Sequence, residues 1–355
     1  MLEGFSGSEH EDIVITRRAT SGLRAIIAIH STLLGPSLGG ARFYPYGDET
    51  LALRDVLRLS GAMTAKAALA GLAHGGGKAV IIGDPSVVKT PPLIRDFAAA
   101  VNRLDGRYIT AEDVGTTQAD MDLIQETTPF VAGTSTSRGG SGDPSPATAL
   151  GVVVAMEAAA ARRWGTGLEG KTVLVLGTGK VGGHVIRLLV QRHAVVIASD
   201  LDHEKVKDAV RAGAARIVDP SDVLWTPADI LCPCALGGIL TRDVMADLHF
   251  EIIVGGANNQ LATPDVAETL AAIGTLYIPD FLANAGGIIN IAQEADGYDH
   301  ARALQAVGRI RETTTAVLER AEARDITPLA AAEELVSERL DGARDPIVSQ
   351  TREGR

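Results

Sequence analysis

Lys66 and Lys78 are the residues of this chain whose types and surroundings best suit them to chemistry. They stand in Met63-Thr64-Ala65-Lys66 and in His74-Gly75-Gly76-Gly77-Lys78-Ala79-Val80. In such apolar or glycine-rich sequence an ammonium is costly unless a ligand or an acid compensates it. The glycines before Lys78 remove side chains and would let a small ligand approach backbone N–H groups. One lysine can then hold a carboxylate as a fixed charge, while the other, desolvated, has its pKa drawn toward neutrality and acts as a base. The pattern asks for an acid beside them.

A second group of residues points to phosphate recognition. Gly177-Thr178-Gly179-Lys180-Val181-Gly182 follows the apolar run Val173–Leu176 and opens a helical segment running to about Arg192. Glycines in this G-x-G-x-x-G spacing allow a tight turn, the approach of a pyrophosphate and close helix packing, and the helix N-terminus presents N–H groups and positive potential. The next strand, Val195–Ser199, ends in Asp200, where an acid binds adenosine ribose hydroxyls. A carboxylate there repels a 2′-phosphate, so the expected cofactor is NAD rather than NADP.

The elements that position these residues follow from periodicity. Glu49 to Leu72 has helical spacing, so Lys66 projects from a late helical turn, and Lys78 opens the strand Ala79-Val80-Ile81-Ile82. Short β-rich runs occur at Asp12–Arg18 and Leu23–Ile29, and a further helical pattern at Pro92–Leu104. Gly133 to Pro146 reads as a linker. Beyond it a helix over Ala147–Arg163 leads to apolar runs at Lys171–Leu176, Ala194–Ala198, Ile230–Cys232, Ile252–Val254 and Leu276–Ile278, separated by helical stretches. Strands alternating with helices predict a parallel, doubly wound sheet with right-handed crossovers. Asp299 to Leu340 predicts two amphipathic helices that return to the first domain.

A chain of 355 residues is long enough for two domains of ordinary size. With 33 basic against 44 acidic residues its formal charge is −11, which argues against nucleic acid or an anionic membrane as the main partner and favours a small molecule. No apolar run approaches the roughly 20 residues that span a bilayer, and Met1-Leu2-Glu3-Gly4 lacks the features of a signal peptide. A cytoplasmic protein is expected. Cys232 and Cys234, one residue apart, are too close for an ordinary disulfide and too few for a structural zinc site, so they read as reduced core thiols. The histidines fall in no metal-ligand pattern, and no metal is expected.

Taken together, these residues resemble the amino-acid dehydrogenase family of glutamate, leucine, phenylalanine and valine dehydrogenases. The likeness is carried by Leu38-Gly39-Gly40-Ala41-Arg42-Phe43, Gly61-Ala62-Met63-Thr64-Ala65-Lys66, His74-Gly75-Gly76-Gly77-Lys78, Ala111-Glu112-Asp113-Val114-Gly115-Thr116, Pro233-Cys234-Ala235-Leu236-Gly237-Gly238, Gly256-Ala257-Asn258-Asn259-Gln260-Leu261 and Asn284-Ala285-Gly286-Gly287. The branched-chain members look most similar. The resemblance implies an α/β fold of two domains with a cleft between them. Residues 1–139, with a C-terminal helix of about 335–355, would form the substrate-binding and oligomerisation domain, and residues 140–334 the Rossmann-type NAD-binding domain. It also implies a homo-oligomer and reversible oxidative deamination, in which an L-2-amino acid, NAD and water give the 2-oxo acid, ammonia and NADH.

By the same resemblance Lys66 binds the substrate carboxylate, Lys78 activates water and polarises the developing carbonyl, and Asp113 exchanges protons with the amino group. Gly39, Gly40, Met63 and Asn259 are expected around the amino acid. Thr148, Cys234, Ala235, Ala257, Asn258 and Asn284 are expected near the cofactor, beside the residues of the 177–182 turn. For the asparagines, turn formation beside glycine is the competing reading. Arg42 could attract a carboxylate, but a structural ion pair is favoured.

Where the glutamate enzymes carry a lysine for the γ-carboxylate this chain has Leu38, and burying an unpaired carboxylate there would cost several kcal/mol. Ala111, Ile288 and Ile291 would complete an apolar wall, favouring valine, leucine or isoleucine over aromatic substrates. The stretch Gln293-Glu294-Ala295-Asp296-Gly297-Tyr298 departs from the branched-chain pattern, with small or acidic residues before the Gly-Tyr pair. A phenylalanine- or tryptophan-type dehydrogenase and a catalytically silent dinucleotide-binding protein are the competing readings.

Overall fold

A computed structural model describes residues 9–235 and 237–344. The chain divides into two compact units. One is formed by the chain up to Asp143, by Ile291–His300 and by the chain from Val336 on, and the other by Pro144–Asn290 and Ala301–Leu335. Residues 291–300, which the sequence reading puts in the second domain, group with the first unit for a visible reason. The Glu294 carboxylate accepts the backbone N–H of Gly133 (3.0 and 3.1 Å) and of Ser141 (2.8 Å).

In the first unit, strands β1 (Asp12–Arg18), β2 (Leu23–Ser31), β3 (Ser37–Tyr44), β4 (Gly75–Ile82) and β5 (Tyr108–Glu112) form a sheet of order β1-β2-β4-β3-β5. β2 is antiparallel to β1 and β4, while β3 is parallel to β4 and β5. β4 is buried along its whole length. On one face its Val80 and Ile82 pack with Ile26 and Ala28 under Ala52, Leu53 and Val56 of the helix Glu49–Leu69. On the other, Ala79 and Ile81 meet Ile94, Phe97 and Val101 of the helix Pro91–Asn102. Alternation along the strand puts Lys78 on the face covered by the first helix. That helix begins where the Asp48 side chain accepts the Leu51 N–H at 2.9 Å.

The glycine run corrects the sequence reading. Gly75, Gly76 and Gly77 are not a loop beside the strand but its first three residues, paired with β2 on one side and β3 on the other. A Cβ at Gly76 would collide with the backbone of Thr64, and one at Gly77 would lie 2.8 Å from both Ser37 Oγ and Tyr108 Cδ2. The missing side chains let the helix and the neighbouring strands close on β4, and the Gly75 N–H is taken by the Gly35 and Pro36 carbonyls.

In the second unit, β6 (Thr172–Leu176), β7 (Val195–Ser199), β8 (Arg216–Ile217), β9 (Ile230–Pro233), β10 (Ile252–Ile253) and β11 (Leu276–Tyr277) form a parallel sheet of order β11-β10-β9-β6-β7-β8. Numbered within the unit this is the doubly wound dinucleotide-binding order, and the order in which strands are added reverses between β6 and β9. The near-continuous apolar runs of β6, β7 and β9 suit strands covered on both faces.

Toward the C-terminus the two expected helices are three: His300–Gly308, Ile310–Arg324 and Pro328–Arg344. The interruption at Arg309 follows Gly308, a weak helix former. Within the first unit Arg339 of the last helix donates to the Leu72 carbonyl at 3.0 Å. The remainder of the helix expected over about 335–355 lies outside the described residues, as does Leu236. Among the described residues no helix is long and apolar enough to cross a membrane.

Candidate active site

The acid that the two lysines ask for is in place. Lys78, with 8% of its side chain exposed, puts Nζ 2.9 Å from Asp113 Oδ2. Asp113 directly follows β5, in a turn closed by Thr116. The Asp113 N–H donates to Thr116 Oγ1 (2.9 Å), which in turn donates to the Ala41 carbonyl (2.9 Å). Gly115, at φ +81°, passes so close to the Phe43 carbonyl that no side chain fits there. A Cβ on Gly40 would fall 2.6 Å from the Glu112 carbonyl oxygen and 2.8 Å from Asp113 Cβ. Glycine at 40 therefore leaves room for the acid.

Burial works against the charge of Asp113, but the Lys78 ammonium, the Arg42 guanidinium and the Val114 N–H outweigh it and hold the carboxyl below the usual carboxylate range. Arg42 Nε lies 3.1 Å from the same Oδ2 that Lys78 meets. The structural ion pair expected of Arg42 is thus present, and one of its partners is the candidate acid.

The remaining first-unit residues surround this pair on the same sheet. Lys78, Gly40 and Ala111 stand in one row across β4, β3 and β5, with Leu38 in the adjoining row beside Gly76. Leu38 and Ala111 are buried. Lys66 occupies the last turn of the helix Glu49–Leu69, as its spacing predicts. Two residues before it, Thr64 sits over Gly76, itself two residues before Lys78, so the part of the helix that leads into Lys66 packs on the start of β4. A Cβ on Gly39 would lie 3.4 Å from Met63 Cγ.

In the second unit the three glycines of the 177–182 turn play three distinct parts. Gly177 has φ +94°, and a Cβ there would stand 2.6 Å from the Ala235 nitrogen. Gly182 packs too tightly on the Gly177 carbonyl for any side chain, and its own Cβ would be 3.4 Å from Cys234 Cβ. Gly179 meets nothing within 4 Å, and no side chain caps the helix Lys180–Val190 that it starts. Open space in front of an uncapped helix N-terminus, whose first turn carries Lys180 and Val181, is room for an anion. A dinucleotide's phosphate group has the space and the N–H donors that it needs there.

Asp200, just after β7, accepts the Thr178 N–H (2.7 Å) and hydroxyl (3.2 Å) on Oδ2 and the Asp202 N–H (2.9 Å) on Oδ1. Burial opposes its charge, yet those amides and Lys205 keep the carboxyl below its ordinary value.

Asn284 Nδ2 donates to Asn258 Oδ1 (2.8 Å) and to the Gly256 carbonyl (3.3 Å). Ala257 donates its N–H to the Pro233 carbonyl (2.9 Å). Asn259 is exposed with φ +52°, a left-handed turn residue whose carbonyl accepts the Gly238 N–H. The Thr148 hydroxyl bonds back to the Pro144 carbonyl (3.0 Å), facing Gly287. Ile288 and Ile291 lie three residues apart, hence on one side, of the helix Gly286–Ala292. Cys232 and Cys234 are free thiols, their sulfurs 3.7 Å apart.

Sequence reasoning missed what stands behind Arg42. Arg42 Nη1 donates to Asp55 Oδ2 (3.0 Å), which also accepts the Tyr46 hydroxyl (2.7 Å), while Arg58 holds Asp55 Oδ1 (2.9 Å). A half-buried acid on the inner side of the first helix was the available signal.

Two α/β units, one carrying a buried lysine paired with a half-buried aspartate and the other a dinucleotide-type sheet with its glycine turn, define the architecture of a nucleotide-dependent oxidoreductase. A sequence model described as Glu/Leu/Phe/Val dehydrogenase, dimerisation domain, matches residues 10–130, and one described as Glutamate/Leucine/Phenylalanine/Valine dehydrogenase matches 139–203 and 197–344. Leucine dehydrogenase of Geobacillus stearothermophilus is 44% identical over 337 residues, 95% of this chain and 92% of that enzyme. Valine dehydrogenase of Streptomyces virginiae is 44% identical over 339 residues, 94% and 95% of the two chains. Among solved structures, L-tryptophan dehydrogenase from Nostoc punctiforme superposes with a TM-score of 0.82 at 38% identity, covering 97% of this chain and 99% of that one. The chain belongs to the Glu/Leu/Phe/Val dehydrogenase family.

Proposed function

We propose that this protein catalyses the reversible, NAD-dependent oxidative deamination of a branched-chain L-amino acid to its 2-oxo acid and ammonia. The observation that carries the reading is the 2.9 Å contact between Lys78 and Asp113 on the sheet face that also bears Leu38 and Ala111. Leucine and valine dehydrogenases at 44% identity over nearly the whole chain support the substrate class. The open turn at Gly179 and the carboxylate of Asp200 support NAD.

Each side chain has a defined task. Lys66 binds the α-carboxylate as a fixed cation. Asp113, anionic beside Lys78 and Arg42, takes a proton from the substrate ammonium so that the nitrogen lone pair can assist departure of the hydride. NAD, when bound on the 177–182 turn, supplies the hydride acceptor. Lys78 then takes the proton of the water that adds to the resulting imine carbon and hydrogen-bonds the new oxygen. Asp113 returns its proton to nitrogen, the C–N bond breaks so that ammonia leaves, and the hydroxyl proton passes to the Asp113 carboxylate as the carbonyl of the 2-oxo acid forms. Leu38, Ala111, Ile288 and Ile291 select an apolar side chain and reject a second carboxylate. Asn258, Asn284, Thr148, Cys234, Ala235 and Ala257 border the cofactor, with Asn259, Gly39, Gly40 and Met63 near the amino acid. A dimerisation domain in the matched family supports a homo-oligomer, which light scattering would register as a mass above 37.0 kDa.

Purified protein given L-leucine or L-valine with NAD at alkaline pH should generate NADH absorbance, and far less with NADP. Silence with every apolar amino acid would overturn the reading. Faster turnover of tryptophan or phenylalanine would move the chain to the aromatic branch.

A further inference from the structure

We propose that Arg42 and Asp55 form a positioning pair for Asp113, with Asp55 anchoring the guanidinium so that its Nε holds one oxygen of the acid while Lys78 holds the same oxygen from β4. This rests on the reading of Asp113 as the proton-exchanging acid. The geometry is specific. The guanidinium spans two carboxylates from different elements, Asp113 after β5 through Nε at 3.1 Å and Asp55 on the helix Glu49–Leu69 through Nη1 at 3.0 Å. Asp55 is fixed in turn by the Tyr46 hydroxyl and by Arg58. Both members of the Arg42–Asp55 pair are largely shielded, with side-chain exposures of 21% and 18%, where a charge interaction is screened far less than at an open surface.

The charged and titratable groups gathered about Asp113 are Lys78 from β4, Arg42 from β3, Tyr108 from β5, Tyr46 and, on the helix, Asp55 and Arg58. Because Lys78 and Arg42 share Oδ2, the carboxylate is pinned at one oxygen and cannot turn about its axis without breaking two charge-assisted bonds. Arg42 also compensates the acid's charge through the reaction, when Lys78 exchanges protons with water. Lysine cannot replace it fully, since a single ammonium lacks the fork that reaches both carboxylates.

The test is kcat/KM for L-leucine at saturating NAD, measured across pH for the full-length protein and for Arg42→Gln, Arg42→Lys and Asp55→Asn. Removing the cation should raise the apparent pKa of the acid limb in Arg42→Gln by about one unit, with kcat down tenfold or more, since a neighbouring opposite charge lowers a carboxyl pKa by roughly one to three units. Arg42→Lys should restore part of the shift. Asp55→Asn should lower kcat with the acid limb unmoved or moved down, because it removes an anion while loosening the anchor. A raised acid limb in Arg42→Gln beside an unmoved or lowered one in Asp55→Asn is a signature that general loss of structure does not produce. A wild-type circular-dichroism spectrum and urea midpoint identify folded variants, and if Arg42→Gln does not fold, Arg42→Lys and Asp55→Asn carry the test. An acid limb and kcat unchanged in the Arg42 variants, or parallel shifts in Arg42→Gln and Asp55→Asn, would overturn the proposal. Absence of deaminase activity in the wild-type protein would overturn the functional reading instead.

Discussion

In β4 the glycines at 75–77 face other parts of the protein, a helix backbone and the strands beside it, whereas in the turn after β6 Gly179 faces open space. The first set lets protein close on protein and so fixes where Lys78 emerges. The second leaves backbone N–H groups available to something that is not protein. A functional contrast follows. The first unit works through charged side chains whose positions glycines permit, and the second through the backbone itself, so substitutions in the two should fail in different ways.

The largest separation is expected from Asp113→Asn. Loss of a general acid/base lowers turnover on the order of 10² to 10⁴-fold, while the second unit should bind NADH with unchanged affinity in a fluorescence titration. Next, Gly76→Ala forces a Cβ into the Thr64 backbone, and overpacking of this kind costs about 1–3 kcal/mol, readable as a lower urea midpoint. Gly179→Ala is its counterpart: with open space at that position, stability should change by less than about 0.5 kcal/mol, while NAD affinity falls about tenfold, about 1.4 kcal/mol of binding. A Gly179→Ala protein that unfolds, or a Gly76→Ala protein that melts normally, would erase the distinction between the two glycine sets.

The smallest effect concerns acid. Asp113 is depressed in the folded protein, so its ionised form contributes stability that is fully present above the ordinary carboxyl pKa of about 3.9 and is lost as pH falls through the lower folded value. The stability gap between wild type and Asp113→Asn should therefore narrow below about pH 4 in denaturant titrations. A gap that widens there would reverse the sign assigned to the Lys78 and Arg42 contacts.

Local chemistry was legible in the sequence. The G-x-G-x-x-G turn, its flanking strand and Asp200 all lie within 30 residues, and the apolar runs of a doubly covered sheet announce themselves. Lys66 on a late helical turn was readable for the same reason, as was the need for an acid near Lys78. What escaped notice was set by tertiary packing. β3 contains Leu38-Gly39-Gly40, whose glycines erase the alternation that marks a strand. The glycine run was not readable as the start of that strand because its use, the close approach of Thr64 twelve residues before Gly76, depends on how the helix Glu49–Leu69 packs on the sheet. Arg42 meets Asp113 across 71 positions of sequence, a distance no spacing rule bridges. Asp55 and Tyr46 behind it left one trace in the sequence, an acid set beside the apolar positions Ala52, Leu53 and Val56 of the first helix. Two-residue strands such as β8 carry too little pattern to detect.

The most direct measurement of the central claim is steady-state deamination of L-leucine by Lys78→Ala, made beside NADH binding on the same preparation. The account predicts turnover reduced by at least a hundredfold with NADH held at wild-type affinity. Turnover close to wild type would show that the buried lysine on β4 does not carry the chemistry and would contradict the account.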